Sequence, residues 1–187
     1  MERDLTWKTI ASKKIYSETW MNIRADTCEK PDGNIVTPYY VYEFPEWVCA
    51  VALTKNNKVV LERQYRHALG VTSLEIPGGC VDKEDASYEV AVARELLEET
   101  GYRFEKYEYL GSTSANPSTH TNLNHLFLAT GGELVQEQSL DAGEDIEIFT
   151  VSLDELVQMV KEQKIVQSMH LAAIYLALEK LGKLSFS

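Results

Sequence analysis

The hydrophobic and polar positions of residues 1–45 follow the pattern of β-strands. Runs rich in β-branched and aromatic residues are separated by turn-forming residues, of which PDGN at 31–34 is the clearest; the runs are WKTIASKKIY, MNIRADTCEK and IVTPYYVYEF. Such runs, bounded by Gly, Pro, Asn and Asp, are typical of strands joined by tight turns. Residues 1–45 are therefore predicted to form a small antiparallel β region.

The pattern changes after Pro45. Two apolar runs, EWVCAVAL and KVVLERQY, predict strands joined by a hairpin at TKNNK, whose asparagines tolerate left-handed backbone angles. The segment LEIPGG leads through a loop into a predicted helix, and further strands are predicted at YEYLGSTS, NHLFLAT and EIFTVSL. Two amphipathic helices, SLDELVQMVKEQ and SMHLAAIYLALEKLG, follow, the first with a capping box made by Ser152 and Glu155. This order predicts an α/β sandwich with a mixed sheet over residues 46–187.

The predicted helix over Ser87–Thr100 carries three like charges on one face. Glu95, Glu98 and Glu99 lie at positions i, i+3 and i+4, so their carboxylates are neighbours and repel one another. Gly101 is the expected residue just beyond the helix end, where the macrodipole disfavours negative charge. A solvated acidic face is the simpler interpretation, but a Pro-Gly-Gly turn precedes the helix and can bring a main-chain carbonyl over these acids. Hard divalent cations bind such oxygen clusters, so Mg²⁺, or Mn²⁺ in its place, is the expected counter-charge.

The apolar residues of the same helix predict which side packs on the protein core. Val90, Ala93 and Leu97 fall together at i, i+3 and i+7, the spacing of a core-facing stripe. The glutamates are then expected on the exposed side of the helix. A substitution such as Glu99→Gln is expected, on this interpretation, to remove a charge without disturbing the core.

Composition and charge limit the classes of partner. The formal net charge is −11, and the sequence contains no run rich in lysine and arginine, which argues against nucleic-acid polymers and anionic membrane surfaces. The first residues have no apolar signal segment and no segment reaches the length of a membrane span, so a cytoplasmic location is expected. Cys28, Cys49 and Cys80 form no CxxC pair and are interpreted as reduced thiols.

The residues around the acidic helix resemble the Nudix box, a glycine and a glutamate followed by the pattern REUxEExGU, in which U is aliphatic or aromatic. Gly79 is followed by RELLEETGY from Arg94 onward, which matches the second half at every fixed position. The first half has one residue more than the usual spacing, and counting back from Arg94 places Ala86 at the glutamate position. Glu84 or Asp85 is therefore expected to take that place.

Further segments resemble the ADP-ribose pyrophosphatase subgroup of this family. They are QYR at 64–66, LEIPGG at 74–79, a proline at Pro117 and the acidic segment at 144–147. The resemblance extends over the whole chain. It implies a Nudix-type α/β/α sandwich with a mixed sheet, and an N-terminal antiparallel β region that builds a homodimer.

The resemblance also implies roles for individual residues. Arg94 is expected to orient Glu98, and Glu144 is the implied general base, with Asp145 and Glu147 as rivals. A solvated turn is the alternative interpretation of this acidic segment. The implied metal ligands are the main-chain carbonyl of Gly78 with Glu95, Glu98 and Glu99, and the implied substrate-binding residues are Arg66, Glu75 and Pro117.

The function implied by the resemblance is Mg²⁺-dependent hydrolysis of the pyrophosphate bond in ADP-ribose or a related nucleoside diphosphate sugar. A nucleoside monophosphate and a sugar phosphate are the expected products. Two alternatives are open: a Nudix hydrolase of another nucleotide, such as GDP-mannose or an oxidised nucleotide, and a non-catalytic nucleotide-sugar sensor. Intact metal glutamates make the sensor the weakest of the three.

The N-terminal region has more apolar residues than a two- or three-stranded ribbon can bury by itself. They need a second surface, which is either the chain's own sandwich or a second copy of the chain. The family resemblance favours the second copy, so a homodimer is expected. The apolar residues concerned are Trp7, Ile10, Ile15, Tyr16, Trp20, Ile23, Ile35 and Val36.

Overall fold

The computed structural model describes residues 2–184. Within this range the elements in chain order are β1 (Lys8–Ser17), β2 (Asn22–Glu29), β3 (Ile35–Glu43), β4 (Trp47–Thr54), β5 (Lys58–Arg66), β6 (Val71–Glu75), α1 (Tyr88–Thr100), β7 (Tyr102–Arg103), β8 (Lys106–Thr113), β9 (Asn124–Leu134), β10 (Ile146–Ser152), α2 (Leu153–Lys161) and α3 (Ser168–Lys180). The described residues form two compact units. The first comprises residues 2–45 and Ser114–Asn122, and the second comprises Glu46–Thr113 and residues 123–184. The assignment of separate roles to residues 1–45 and 46–187 remains a prediction.

The first unit is built on a three-stranded antiparallel sheet in the order β1-β2-β3. All ten residues of β1 are exposed, so neither face of this strand is covered by the rest of the first unit. Arg24 of β2 forms an ion pair of 3.0 Å with Asp26 and also pairs with Glu43 of β3. The Tyr39 hydroxyl donates to the carbonyl of Ser118 at 2.5 Å, which ties the second segment of the unit to β3.

The second unit contains a seven-stranded mixed sheet. Its main path is β10-β5-β4-β9-β7, with β6 paired to β5 and β8 paired to β9. β4 and β9 run parallel, and the other pairs are antiparallel. The hairpin between β4 and β5 turns at Asn57, whose φ of 54° is the left-handed conformation that asparagine tolerates. The strands predicted at YEYLGSTS and NHLFLAT are confirmed as β8 and β9, which pair with each other.

Alternating side chains of the sheet supply two apolar cores, one on each face. Residues of β4, β5 and β9 that point to one face pack with α2 and α3, and those that point to the other face pack with α1. The predicted α/β/α sandwich is therefore confirmed. The buried residues on the α1 side are Val48, Ala50, Ala52, Val60, Ala91, Val92, Leu96, Phe104, Phe127 and Ala129.

The two ends of α1 agree with the capping residues predicted from the sequence, but its buried face differs from the predicted one. The Ser87 side chain accepts a hydrogen bond from the amide of Val90 at the first turn, and Gly101 ends the helix with a φ of 73°. The predicted core stripe was wrong: Val90 is 47% exposed, whereas Ala91, Val92 and Leu96 are fully buried. The buried face of α1 is rotated toward the glutamates, and it includes Glu95 and Glu99 themselves.

The other two helices complete the second unit. The predicted capping box of α2 is confirmed, since Ser152 and Glu155 exchange side-chain to backbone hydrogen bonds. The N-cap of α3 is Gln167, whose side chain accepts from the amide of Met169. Among residues 2–184, no helix is both long enough and apolar enough to cross a membrane.

Candidate active site

The guanidinium of Arg94 organises the polar residues around α1. Its Nη1 donates to Glu98 at 3.0 Å and lies 3.1 Å from Oε1 of Glu95. Its Nη2 donates to the carbonyl of Cys80 at 2.9 Å and to Asp85 at 2.9 Å, and Nε donates to the other Asp85 oxygen at 3.3 Å. Arg94 therefore holds α1, the preceding loop and two of the predicted metal glutamates in one arrangement.

Asp85 takes the place of the glutamate expected upstream of Arg94, for which the sequence offered Glu84 and Asp85. The side chain of Asp85 is only 5% exposed and accepts bidentate hydrogen bonds from Arg94, whereas Glu84 is exposed. The hydrogen bond from Arg94 lowers the pKa of Asp85, although burial acts in the opposite direction. The loop before α1 contains a turn in which the amide of Asp82 donates to Asp85 at 2.9 Å.

The Pro-Gly-Gly turn brings the backbone into close contact with the acids of α1. Gly78 has a φ of 153°, and a Cβ there would lie 2.2 Å from the carbonyl oxygen of Val48. The amide of Gly78 donates to Oε2 of Glu99 at 2.8 Å. A Cβ on Gly79 would lie 2.6 Å from the carboxyl carbon of Glu95. Gly78 is therefore required for the approach of this turn to the acids, whereas a Cβ on Gly79 would displace only the end of the Glu95 side chain.

Three acidic side chains are buried together here: Glu62 of β5 with Glu95 and Glu99 of α1, which we call the buried glutamate cluster. Burial, followed by the charge of Glu75, raises the pKa of Glu62 to about 8. Burial also raises the pKa of Glu95 to about 7, against the opposing effect of Arg94. For Glu99, burial and the charges of Glu62 and Glu95 raise the pKa well above its ordinary range.

A cleft of about 300 Å³ opens beside this turn. Arg66 donates through Nε and Nη2 to both oxygens of Glu75, at 2.9 and 2.7 Å. Burial alone would raise the pKa of Glu75, but these hydrogen bonds leave it below its ordinary value. Burial lowers the pKa of His170 to about 4, so this imidazole is neutral near pH 7. Residues lining the cleft include Trp47, Arg66, Glu75, Gly78, Gly79, Asn124, Gln167, Met169 and His170.

The loop between β9 and β10 is attached to the C-terminal turn of α1. The side-chain amide of Gln138 donates to the carbonyl of Glu99 at 2.6 Å and to the carbonyl of Ile146 at 3.1 Å. The amide of Ser139 donates to the carbonyl of Glu98 at 2.8 Å. These bonds satisfy carbonyls that a helix end leaves without intrahelical partners, and they fix the start of the acidic loop against α1.

The three candidate bases of this loop have different surroundings. Glu144 accepts a hydrogen bond from the amide of Asp141 at 2.9 Å, and its charge contributes to the raised pKa values of the whole buried glutamate cluster. Glu147 is instead paired with Arg63 across β10 and β5. Asp145 and Glu147 both line a separate cleft. Of the three acids, Glu144 is the one that the electrostatics link to the cluster.

Comparison with known families agrees with this arrangement. Residues 44–170 match the NUDIX domain, which is more than half of the chain. The chain belongs to the Nudix family of pyrophosphohydrolases. Residues 7–42 match the nucleoside diphosphate sugar hydrolase N-terminal domain.

Several relatives of this Nudix enzyme are similar over nearly the whole chain. A methanol dehydrogenase activator of Bacillus methanolicus is 34% identical over 94% of this chain and 95% of its own. An ADP-ribose pyrophosphatase of Bacillus subtilis is 29% identical over 95% of this chain and 96% of its own. A GDP-mannose pyrophosphatase of Escherichia coli is 30% identical over 84% of this chain and 87% of its own. The crystal structure of an ADP compounds hydrolase superposes with a TM-score of 0.84 at 18% identity, covering 98% of this chain and 100% of that one, which supports the fold.

The donor set of the Nudix box fits a divalent cation. In the range 2–184, no group of three His, Cys, Asp or Glu side chains already has the geometry of a metal site. Glu95 and Glu98 contact Arg94, and Glu99 contacts the amide of Gly78. The two carboxylate oxygens of Glu62 have no hydrogen-bond partner. Buried, mutually repelling carboxylates of this kind are the hard oxygen donors that Mg²⁺ and Mn²⁺ prefer.

The structure brings most of the predicted site residues into the second unit. Arg66, Glu75 and Gly78 line one cleft, and the box glutamates lie beside it. Pro117 belongs to the first unit, so its implied role in substrate binding stays a prediction. Sequence reasoning missed Glu62 and Gln138. An isolated glutamate at the end of an apolar strand was the available signal for Glu62, whereas no signal distinguished Gln138 from an ordinary loop residue.

The raised pKa values predict how stability depends on pH in the presence of EDTA. In the folded protein the pKa is about 8 for Glu62 and about 7 for Glu95. The pKa of a glutamate in the unfolded chain is about 4.3. The folded state therefore binds more protons between these values, and the free energy of unfolding falls as the pH rises. His170, with a pKa of about 4, has the opposite effect only up to about pH 6.5.

Urea denaturation in EDTA should therefore show decreasing stability from about pH 6.5 to about pH 8.5, above the range in which His170 and the ordinary carboxylates titrate. The Glu62→Met variant should show a shallower decrease, because one of the responsible groups is gone. A free energy of unfolding that is constant or rises across this interval would contradict the burial of these carboxylates.

Proposed function

We propose that this Nudix enzyme hydrolyses the pyrophosphate bond of ADP-ribose, or of a related nucleoside diphosphate sugar, with Mg²⁺ as its cofactor. The observation that carries the proposal is the buried glutamate cluster, which adjoins the Gly78–Gly79 turn and the cleft lined by Arg66 and Glu75. The printed name of the Bacillus subtilis relative, ADP-ribose pyrophosphatase, supports this choice of substrate.

The charges of the site explain why a cation is needed. The pyrophosphate group is anionic, and the glutamates beside its proposed position have raised pKa values, so they need a nearby positive charge to ionise together. Bound Mg²⁺ would neutralise the phosphate oxygens and lower the pKa of the attacking water. Gly78, Glu95, Glu98 and Glu99 are the proposed ligands, and Mn²⁺ can take the same place because it accepts the same oxygen donors.

The chain's own groups orient the reactants and receive the proton. The oxygen of a water molecule attacks one phosphorus atom, and the bond from that phosphorus to the bridging oxygen breaks. ADP-ribose then yields AMP and ribose 5-phosphate. Glu144 accepts the proton from the attacking water, and Arg94 keeps Glu95 and Glu98 in position through the contacts at 3.1 and 3.0 Å. Arg66 and Glu75 bind the part of the substrate away from the scissile bond.

A second nucleoside diphosphate sugar is the alternative substrate. The relative from Escherichia coli is named GDP-mannose pyrophosphatase and has an identity to this chain close to that of the ADP-ribose enzyme. The catalytic groups would act in the same way on either compound, because both contain a pyrophosphate between a nucleoside and a sugar. The base and the sugar are therefore the features that an experiment has to distinguish.

A substrate panel tests the proposal. The full-length protein is incubated with Mg²⁺ and ADP-ribose, GDP-mannose, other nucleotide sugars, dinucleotides or oxidised nucleotides, and the products are separated by chromatography. We expect the highest kcat/KM for ADP-ribose, with equal amounts of AMP and ribose 5-phosphate. A higher kcat/KM for GDP-mannose would support the alternative, and binding without hydrolysis of any compound would indicate a sensor.

We also propose that the first unit forms a homodimer. β1 is exposed along its whole length, and large apolar side chains of the unit have substantial exposed fractions, from 43% for Trp7 to 69% for Trp20. A stable protein contact buries at least about 1,000 Å² of surface, for which a ten-residue strand and its neighbours provide a suitable apolar patch. The occupant is a second copy of this chain, because a self-complementary contact between identical strands satisfies both copies at once.

Light scattering at micromolar concentration should therefore give about twice the monomer mass of 21.2 kDa. Ile10→Lys places a charge on β1 and should shift the protein toward monomer. Leu134→Lys is the matched control, since Leu134 is an exposed apolar residue of the second unit, 64% accessible, and its substitution should leave the mass unchanged. Monomeric wild-type protein with full activity would reject the dimer. Deletion of residues 1–44 should likewise give a monomer, with weakened substrate binding.

A further inference from the structure

Glu62 is a charged residue in a strand that is otherwise built for the core. In β5, the four consecutive residues Val59, Val60, Leu61 and Glu62 each have 0% exposure. Val60 packs against α1 on one face of the sheet. Since side chains two residues apart in a strand share a face, Glu62 also points to the side on which α1 carries Glu95 and Glu99.

The side chain of Glu62 makes no hydrogen bond, and the charge of Arg66 only partly offsets the effect of burial and of Glu75 on its pKa. The partner of Glu62 in the register with β6 is Glu75, another acid, to which Nε and Nη2 of Arg66 donate their hydrogen bonds. A buried carboxylate without a partner strongly destabilises a fold, and an apolar side chain of similar size would be more favourable for stability. The location of Glu62 therefore calls for a functional explanation.

We propose that Glu62 is a further carboxylate of the cation site and increases the affinity of the protein for divalent cations. It acts from the β-sheet side of the site, opposite the helix that presents the box glutamates. A cation held by Glu95 and Glu99 adds to the positive charge that Arg66 provides near Glu62. Glu62 is a positioning residue, because it acts through the cation and not on the substrate. The proposal rests on the proposed function for the presence of a cation.

Mn²⁺ binding tests this role without measuring hydrolysis. Calorimetric titration of the full-length protein with Mn²⁺ is compared for the wild type, Glu62→Met and Glu62→Gln. Methionine keeps the length of the side chain and suits an apolar strand, whereas glutamine keeps a polar group without charge. We expect both variants to bind Mn²⁺ about 10- to 100-fold more weakly, the range typical of residues that support metal ligands.

Thermal unfolding in EDTA gives a second test, in which the substitution should increase stability although it weakens Mn²⁺ binding. Glu62→Met should raise the unfolding temperature by about 2–4 °C, because it removes an unpaired buried carboxylate. Excess Mn²⁺ should then stabilise the variant less than it stabilises the wild type. The control is Glu179→Gln, which removes one negative charge from an exposed position of α3 and should change neither quantity.

Mn²⁺ affinity of Glu62→Met within about twofold of the wild type would overturn the proposal and leave Glu62 with a structural role. Activity on ADP-ribose separates this result from a failure of the proposed function. A wild type that hydrolyses ADP-ribose with Mg²⁺, together with unchanged Mn²⁺ affinity in the variants, rejects the role of Glu62 alone. Weakened Mn²⁺ binding in an enzyme that does not hydrolyse ADP-ribose retains the role of Glu62 and rejects the substrate.

Discussion

Glu99→Gln is expected to lower kcat/KM for ADP-ribose by about 10³-fold while the protein remains folded. The substitution removes one ligand charge, and metal-assisted charge stabilisation contributes several kcal/mol, of which about 4 kcal/mol corresponds to this factor. The fold should tolerate the change because the amide oxygen of glutamine can still accept the 2.8 Å hydrogen bond from Gly78. Burial already favours the uncharged form of Glu99, which glutamine imitates.

The measurement combines steady-state kinetics with thermal unfolding in EDTA. Glu89→Gln is the matched control, since it removes a glutamate from an exposed position in the first turn of the same helix and should leave activity unchanged. Loss of the folded state in Glu99→Gln would indicate that Glu99 is mainly structural. Full activity of the folded variant would contradict its assignment as a metal ligand.

Glu144→Gln is expected to lower kcat by about 10²- to 10⁴-fold, the usual contribution of a general base. KM should change little, because the proton is accepted only on the way to the transition state. The loop that carries Glu144 is fixed to α1 through Gln138 and Ser139, so the substitution should not displace the box glutamates. Mn²⁺ affinity close to that of the wild type would demonstrate that the metal ligands are undisturbed.

Asp145→Asn and Glu147→Gln are the matched controls for the base. Each removes one carboxylate from the same loop or the strand that follows it, and Glu147 is engaged by Arg63. Both variants should retain most of kcat. A large loss in Asp145→Asn, with normal kcat in Glu144→Gln, would transfer the role of the base to Asp145.

Local signals in the sequence predicted the elements of the fold well. The capping box at Ser152 and Glu155, the N-terminal position of Ser87 and the left-handed Gly101 are each decided by backbone hydrogen bonds within a few residues. Apolar runs predicted the strands that became β4, β5 and β9, because strand propensity and the bounding turn residues act within a short stretch of chain. Such features do not require knowledge of the tertiary contacts.

The buried face of α1 could not be predicted in the same way. Periodicity favoured Val90, Ala93 and Leu97, since it assigns charged residues to the solvent side. In the structure Glu95 and Glu99 point inward, because the turn at Gly78 meets the carboxylates there. The local pattern therefore failed at the position where the resemblance implies cation binding.

Contacts between distant segments account for the residues that sequence reasoning missed. Glu62 lies 37 positions before Glu99, and only the packing of α1 on the sheet reveals that they share one interior. Gln138 gains its importance from the carbonyls at the end of α1 and the start of β10. The choice between Glu84 and Asp85 likewise depended on which side chain the loop directs toward Arg94.

Hydrolysis of ADP-ribose by the full-length protein, followed before and after removal of divalent cations, tests the central claim most directly. Chromatography should detect AMP and ribose 5-phosphate in equal amounts in the presence of Mg²⁺. EDTA should abolish product formation, and added Mg²⁺ or Mn²⁺ should restore it, because the carboxylates of the site require a counter-charge before an anionic substrate can react. Product formation at the full rate in excess EDTA would contradict the assignment of these glutamates as metal ligands.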